Sequence, residues 1–187
     1  MKILCETSVR HVHLSRKDVL ELFGRGELTR TRDLSQPGQY LCEERVDLVT
    51  PKATLRNVAI IGPTRDTSQV EISRTDCFAL GLKGVPVRQS GDLDKTPGIT
   101  IQAGDKQIEL SQGVIVAHRH VHLDPQTAEE FNLRDGDAVT LRFGGERGGT
   151  LNSTIIRVSP DFAPAVHIDS DEANAMGFSG GEVILTK

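Results

Sequence analysis

The feature that most constrains this chain is a five-residue motif, Arg-His-Val-His-Leu, that occurs twice. It spans residues 10–14 and returns unchanged at residues 119–123. Four of the six histidines lie in these two copies, whereas His118 flanks the second copy and His167 stands apart. Histidines concentrated in two His-x-His pairs indicate metal binding, because neutral imidazole is a common ligand of transition metals. The alternative is two pairs of ordinary surface or hydrogen-bonded histidines.

A second, weaker repeat links the two halves of the chain. Residues 69–81 align without gaps with residues 165–177, and the segments share Val, Ile, Ala and Gly at matching positions. In each segment one polar side chain lies between two β-branched residues, Glu71 in the first and His167 in the second. Long-range self-similarity of this kind indicates two structurally equivalent halves.

Many short predicted strands, separated by turn residues, indicate a mainly β fold. We expect two small β-barrel domains related by the internal repeat, residues 1–92 and residues 93–187, with short capping α-helices. Residues 87–105 are rich in Gly, Pro, Asp and Ser and are the expected junction. An exchange of strands between the barrels is left open. Helix caps are expected at Ser15, at Thr75 or Asp76, at Asp124 and at Asp171.

The strand period explains how each histidine pair could bind one ion. Side chains at positions i and i+2 of a strand share a face, about 6 to 7 Å apart at Cα. A third ligand from the second segment would leave one coordination position open for water or substrate. The predicted ligand groups are His11, His13 and Glu71, and His120, His122 and His167. This donor set suits Zn²⁺ best, with Co²⁺, Ni²⁺, Mn²⁺ and Fe²⁺ left open.

Four further residues near the predicted ligands have weaker signals. Arg65 ends the tight turn at residues 62–65, just before the strand of Glu71, and its guanidinium could bind two oxygens of an oxyanion. The alternative is a surface arginine in a turn. Arg10 and Arg119 precede the histidine pairs and should face the other side of the strand as salt-bridge partners. His118 is a fourth ligand, a residue that supports the ligands, or a surface residue.

The composition excludes some classes of function. With 22 Lys and Arg against 26 Asp and Glu, the net charge of −4 argues against a nucleic-acid binder held by bulk charge. No run approaches the roughly 18 apolar residues that a membrane helix needs. Cys5, Cys42 and Cys77 are widely spaced and form no CxxC motif, so we expect three reduced thiols in a cytoplasmic protein. A metal-ligand role for one of them is the alternative.

These features resemble the PduL-type phosphotransacylases, also called phosphate propanoyltransferases. The matching pieces span nearly the whole chain: Ser8–Ser15, Leu34–Tyr40, Gly62–Arg65, Gln69–Ser73, Pro86–Asp92, Arg119–His122 and His167–Asn174. Members that enter bacterial microcompartments usually carry an N-terminal extension as an encapsulation peptide. Here the first strand begins at Met1, so a cytoplasmic enzyme is expected.

The resemblance implies two β-barrel domains, a two-zinc site between them, and the conversion of acyl-CoA plus phosphate into acyl phosphate plus CoA, in either direction. It implies that the six predicted ligands bind zinc and that Arg65 is the catalytic residue that binds phosphate. It also implies CoA contacts at Ser8, Asn174 and, with less support from the motifs, Arg32. Ala59 stands where many members have an arginine, which would weaken one CoA contact.

The expected reaction is direct attack of phosphate on the thioester of propanoyl-CoA or acetyl-CoA, because no Ser-His-Asp arrangement is evident. One alternative is a zinc-dependent acyl-CoA thioesterase, in which metal-bound water is the nucleophile. Another is a non-catalytic binding protein stapled by metal ions. We expect acyl-CoA and phosphate as partners and neither nucleic acid nor membrane, and a homodimer is left open.

Overall fold

The computed structural model describes residues 1–187, which form two compact units. Arg10–Ala117 is one stretch of chain and is called the continuous unit. Met1–Val9 and His118–Lys187 together form the other and are called the split unit. The predicted boundary between residues 92 and 93 therefore differs from this division.

The continuous unit is built on one nine-stranded sheet, in which β3 pairs with β4 and the other strands follow the order β7-β10-β6-β2-β5-β4-β8-β9. Its elements are β2 (His11–His13), α1 (Arg16–Phe23), β3 (Arg30–Asp33), β4 (Tyr40–Val49), β5 (Thr54–Gly62), β6 (Gln69–Glu71), α2 (Arg74–Leu80), β7 (Val87–Arg88), β8 (Ile99–Ala103), β9 (Lys106–Leu110) and β10 (Val114–Ala117).

The split unit is a closed six-stranded barrel in the order β1-β14-β11-β13-β12-β15. Its elements are β1 (Lys2–Ser8), β11 (His120–Leu123), α3 (Pro125–Glu130), β12 (Ala138–Arg142), β13 (Thr150–Val158), β14 (Ala165–Asp169), α4 (Ser170–Ala175) and β15 (Gly181–Thr186). Strand β1 pairs with β14 and β15 although these strands lie at the other end of the chain. The predicted mainly β fold with short helices is confirmed.

The predicted junction at residues 87–105 is wrong as a boundary. Strand β8 lies within it and pairs with β4, while β7 pairs with β10, so the whole stretch belongs to the continuous unit. The Gly and Pro residues mark turns between short strands of one sheet. Composition alone does not separate such turns from a linker between domains.

The two histidine strands have the same surroundings in their respective units. Strand β2 runs antiparallel to β6 and parallel to β5, and β11 runs antiparallel to β14 and parallel to β13. In each strand the valine between the histidines is fully buried in the hydrophobic core of its unit. The pleat therefore turns the two histidines of each strand to the other face.

The arginine before each histidine pair forms the predicted salt bridge. Arg10 contacts Asp76 at 2.9 Å between Nη2 and Oδ1, and Arg119 contacts Glu172 at 2.6 Å between Nη1 and Oε1. Each acid is also the third residue of a helix whose N-terminus is closed by a capping box. The ion pair thus links the histidine strand to the helix that follows the third-ligand strand.

The predicted helix caps are partly confirmed. The predicted caps of α1 and α3, Ser15 and Asp124, accept hydrogen bonds from backbone N–H groups of the first turn. The predictions for α2 and α4 are wrong, because these helices are capped by Ser73 and Asp169.

The thiol groups give a direct test of the fold. Cys5, Cys42 and Cys77 are buried and form no disulfide bond. Burial, with Glu172 and Glu6 nearby, raises the pKa of Cys5 to about 12, and burial with Glu44 nearby raises the pKa of Cys42 to about 11. Because the thiolate is the reactive form, a disulfide reagent at pH 8 should leave both unlabelled in the native protein and label all three thiols in denaturant. Rapid labelling of Cys5 or Cys42 without denaturant would contradict this packing.

Candidate metal centres

The first ligand group, His11, His13 and Glu71, forms where β2 meets β6. Antiparallel pairing places His11 directly opposite Glu71. His11 Nε2 lies 3.6 Å from Glu71 Oε2, and His13 Nε2 lies 3.9 Å from Glu71 Oε1. All three ligand atoms lie within 4.8 Å of one another. Ligands about 2.0 to 2.2 Å from a tetrahedral Zn²⁺ lie about 3.4 Å apart, so small side-chain movements would close the group around one ion.

The second ligand group, His120, His122 and His167, forms in the same way where β11 meets β14. Here His120 lies opposite His167. The ring centroids of the three histidines are 4.6 to 5.2 Å apart, and one ring nitrogen of each lies within 4.8 Å of the others. The structure therefore brings together all six predicted ligands as two groups of three.

Backbone carbonyls orient one imidazole in each group. His13 Nδ1 lies 3.0 Å from the carbonyl oxygen of Ile61, and His120 Nδ1 lies 2.8 Å from that of His118. A carbonyl oxygen only accepts, so Nδ1 donates and Nε2 keeps the lone pair that a metal ion needs. His118 supports the second group through its backbone, while its own Nδ1 bonds to the carbonyl of Arg119.

The chemistry of His122 fits a bound cation. Both ring nitrogens of His122 are buried and make no hydrogen bond. Burial, together with His120 and His167, lowers the pKa of His122 to about 2, so the ring is neutral. A buried polar atom without a partner is unfavourable, and a metal ion between the three imidazoles would engage one of these nitrogens. Burial and the neighbouring His11 also lower the pKa of His13.

Glu71 is held as a carboxylate by a hydrogen-bond network. Its Oε1 accepts from Gln69 Nε2 at 2.5 Å and from Ser90 Oγ at 2.7 Å. Burial alone would raise the pKa of Glu71, but His11, His13, the Ser90 hydroxyl and Arg65 together lower it to about 2. A permanently charged carboxylate beside two imidazoles is a suitable ligand set for a divalent cation.

Arg65 is part of the same network. Its backbone N–H donates to the carbonyl of Leu14 at 3.0 Å, which fixes the turn against the end of the histidine strand. Its Nη1 donates to Ser90 Oγ at 2.9 Å. Sequence reasoning missed Gln69 and Ser90 as connecting residues, because nothing in their spacing shows that they meet around Glu71.

The predicted CoA contacts are distributed over both units. Ser8 ends β1 opposite Asp169, and Asn174 is exposed on α4, both in the split unit. Arg32 is exposed on β3 of the continuous unit. Ala59 lies opposite His11. These CoA contacts stay predictions.

Comparison with known proteins places the chain in a family. A sequence profile described as phosphate propanoyltransferase matches residues 4–179. A phosphate propanoyltransferase of Listeria monocytogenes is 51% identical over 177 residues, which cover 94% of this chain and 83% of the relative. One of Clostridioides difficile is 51% identical, covering 95% and 85%, and one of Thermotoga maritima is 46% identical, covering 97% and 87%.

The chain belongs to the phosphate propanoyltransferase family. It is therefore an acyltransferase, and the alternative of a non-catalytic binding protein is wrong. The residues that match the phosphate propanoyltransferase profile include both ligand groups, Arg65 and Ser90. None of its helices is both long and apolar enough to span a bilayer.

Removal of metal tests both ligand groups. We expect one Zn²⁺ per group, and chelation should lower the thermal unfolding midpoint. The reason is mass action, since a ligand at about a hundred times its Kd adds about 2.7 kcal/mol to the free energy of unfolding. The variant His11→Ala should lose one of the two ions, whereas the control His118→Ala should keep both. Loss of an ion in the control alone would contradict the assignment.

The histidines also predict a pH dependence for the metal-free protein. His13 and His122 have folded pKa values below the ordinary 6.5, so near that pH the unfolded chain binds protons at these positions and the folded chain does not. The contribution of these two histidines to the free energy of unfolding should therefore be present at pH 7.5 and be lost progressively as the pH is lowered through 6.5 to 5.5. Urea unfolding at both pH values measures it, and His122→Asn should flatten the dependence. An equal slope in the variant and the wild type would refute this assignment for His122.

Proposed function

We propose that the chain interconverts a short-chain acyl-CoA plus inorganic phosphate with acyl phosphate plus CoA. Its relatives are named phosphate propanoyltransferases, which supports propanoyl-CoA as substrate, and acetyl-CoA is the next candidate. The single observation that carries the proposal is the chain of hydrogen bonds from Arg65 through Ser90 to Glu71. It couples an anion-binding side chain directly to a metal-ligand group.

Arg65 is the proposed phosphate-binding and catalytic residue. A guanidinium bonds two oxygens of an oxyanion at once, and one Nη of Arg65 is already held by Ser90. The hydroxyl of Ser90 donates to Glu71, which fixes its lone pairs toward Arg65. The network thereby limits the positions that the guanidinium can adopt. Restricting phosphate in this way favours reaction, because orientation is achieved before attack.

The proposed nucleophile is phosphate itself. Five of the six histidines lie in the two ligand groups, and buried His122 is neutral with its pKa near 2. The three thiols are buried, and Cys5 and Cys42 have raised pKa values. These groups are poorly suited to form an acyl-enzyme, so phosphate oxygen attacks the thioester carbonyl and the CoA thiolate leaves.

The two ligand groups are the proposed holders of two Zn²⁺ ions, which when bound would supply Lewis-acid stabilisation of the carbonyl oxygen and of the leaving thiolate. Glu71 makes the first group more negative than the all-histidine second group. Ser8, Arg32 and Asn174 are the proposed CoA contacts. A cytoplasmic location and a homodimer stay predictions.

Thiol release from propanoyl-CoA, with and without phosphate, tests the reaction. We expect release only with phosphate, and Arg65→Ala should reduce it about 100- to 1,000-fold, as removal of one stabilising donor does elsewhere. Arg65→Lys should recover part of the loss, because it restores charge without the bidentate fork.

The matched control is Arg56→Ala, which removes an exposed arginine of the same unit that pairs with Asp47. It should leave the rate unchanged. Thiol release that proceeds without phosphate and survives Arg65→Ala would replace the proposal with a zinc-dependent thioesterase.

A further inference from the structure

His13 and His122 hold the same place in the repeat but are oriented by different means. Each is the second histidine of its pair and lies beside the parallel neighbouring strand, His13 next to Ile61 and His122 opposite Arg157. His13 Nδ1 is fixed by the carbonyl of Ile61. His122 makes no hydrogen bond at either nitrogen. Hydrogen bonding therefore leaves the plane of the His122 ring undefined.

An aromatic ring, and not a hydrogen bond, holds the plane of the His122 imidazole. The ring of Phe162 lies against it with centroids 3.9 Å apart and an interplanar angle of 20°. A stacked neighbour permits sliding but resists rotation of the imidazole about its Cβ–Cγ bond. The guanidinium carbon of Arg157 lies 5.7 Å from the Phe162 centroid, which adds a cation–π contact to the same ring.

Phe162 is itself fixed to the histidine strand. The N–H of Ser159 donates to the carbonyl of Leu123 at 3.1 Å, and the N–H of Phe162 donates to the carbonyl of Ser159 at 3.1 Å. The tight turn at residues 159–162 is thus anchored at Leu123, the residue after His122, and it places the Phe162 ring against the His122 ring. Phe162 is only partly buried and lies outside the hydrophobic core of the barrel. Its packing is directed to the ligand group and not to filling the core.

The corresponding loop of the continuous unit has the same anchor. There the N–H of Arg65 donates to the carbonyl of Leu14, and Leu14 and Leu123 both end the repeated motif. One copy of the loop brings Arg65 to the network of Glu71, and the other brings Phe162 onto His122. The two copies share an anchoring bond but deliver side chains with different chemistry.

We propose that Phe162 is a positioning residue that orients His122 for metal binding in the second ligand group. This inference rests on the metal centres of the proposed function. Stacking replaces the carbonyl bond that orients His13. A carbonyl partner also raises the basicity of an imidazole ligand, which an aromatic face does not.

The experiment measures Zn²⁺ affinity by competition with a chromogenic chelator. It is carried out in the His11→Ala background, in which the second group is the intact one. Phe162→Leu keeps an apolar side chain but removes the ring, and it should weaken Zn²⁺ binding about 10- to 100-fold, as loss of a supporting contact to a ligand does. Phe162→Tyr retains the stack and should bind within about threefold of the parent.

Two controls separate positioning from a structural effect. Phe131→Leu alters a more exposed phenylalanine of the same unit and should not change the affinity. Urea unfolding of the metal-free proteins should show that Phe162→Tyr and Phe162→Leu differ far less in stability than in Zn²⁺ affinity. Equal Zn²⁺ affinity in Phe162→Leu and the parent, or equal losses in the Leu and Tyr variants, would overturn the inference.

The outcome also separates this inference from the proposed function. Phosphate-dependent thiol release by the wild type, combined with unchanged affinity in Phe162→Leu, would leave the function and remove the positioning role. Weakened Zn²⁺ affinity in Phe162→Leu, combined with thiol release that does not depend on phosphate, would support the positioning role and contradict the proposed function. A wild-type protein that binds no Zn²⁺ would overturn both.

Discussion

The pairing of two buried valines in each unit determines the geometry of the candidate centres. Val12 lies opposite Val70, Val121 lies opposite Val166, and all four are fully buried. A slip of one residue in either ladder would move these valines out of the core and turn the ligands inward. The hydrophobic core thus specifies the register, and the register brings the third ligand opposite the first histidine of the pair.

The two ligand groups share this strand arrangement but differ in charge. The first ligand group contains Glu71, whose pKa is held near 2, whereas the second consists of three imidazoles. An ion in the first group would have one formal charge neutralised by its ligands, and an ion in the second would keep its full charge. Two chemically different positions are suited to different tasks, such as binding an anion and accepting a soft thiolate.

Sequence reasoning was most successful where a local pattern has one physical solution. The strand period and the repeats identified all six candidate ligands, and α1 begins directly after its predicted cap, Ser15. It failed where the outcome depended on distant partners. Strand β3, for example, forms because Arg30 pairs with Cys42 across a turn, and no local pattern indicates that pairing. The extent of each unit likewise followed from strand pairings that spacing does not encode.

The supporting residues show the same limit. Ser90 lies 19 residues from Glu71 and contacts it only because β7 and β6 flank β10. Phe162 has no periodic signal at all, since it follows a turn, and its stacking on His122 depends on where that turn is anchored. Metal ligands can be predicted from the sequence because few residue types bind metal. The residues that orient them are of every type and are recognised by contact alone.

The position of β1 between β14 and β15 has a consequence for synthesis on the ribosome. The first nine residues emerge first, but their neighbours in the barrel are residues 165–169 and 181–186. The continuous unit ends at Ala117 and has its own core, so it can fold while β1 is still unpaired. Barrel closure is then among the last events, and a nascent chain stalled before β14 would present an unpaired edge strand to chaperones.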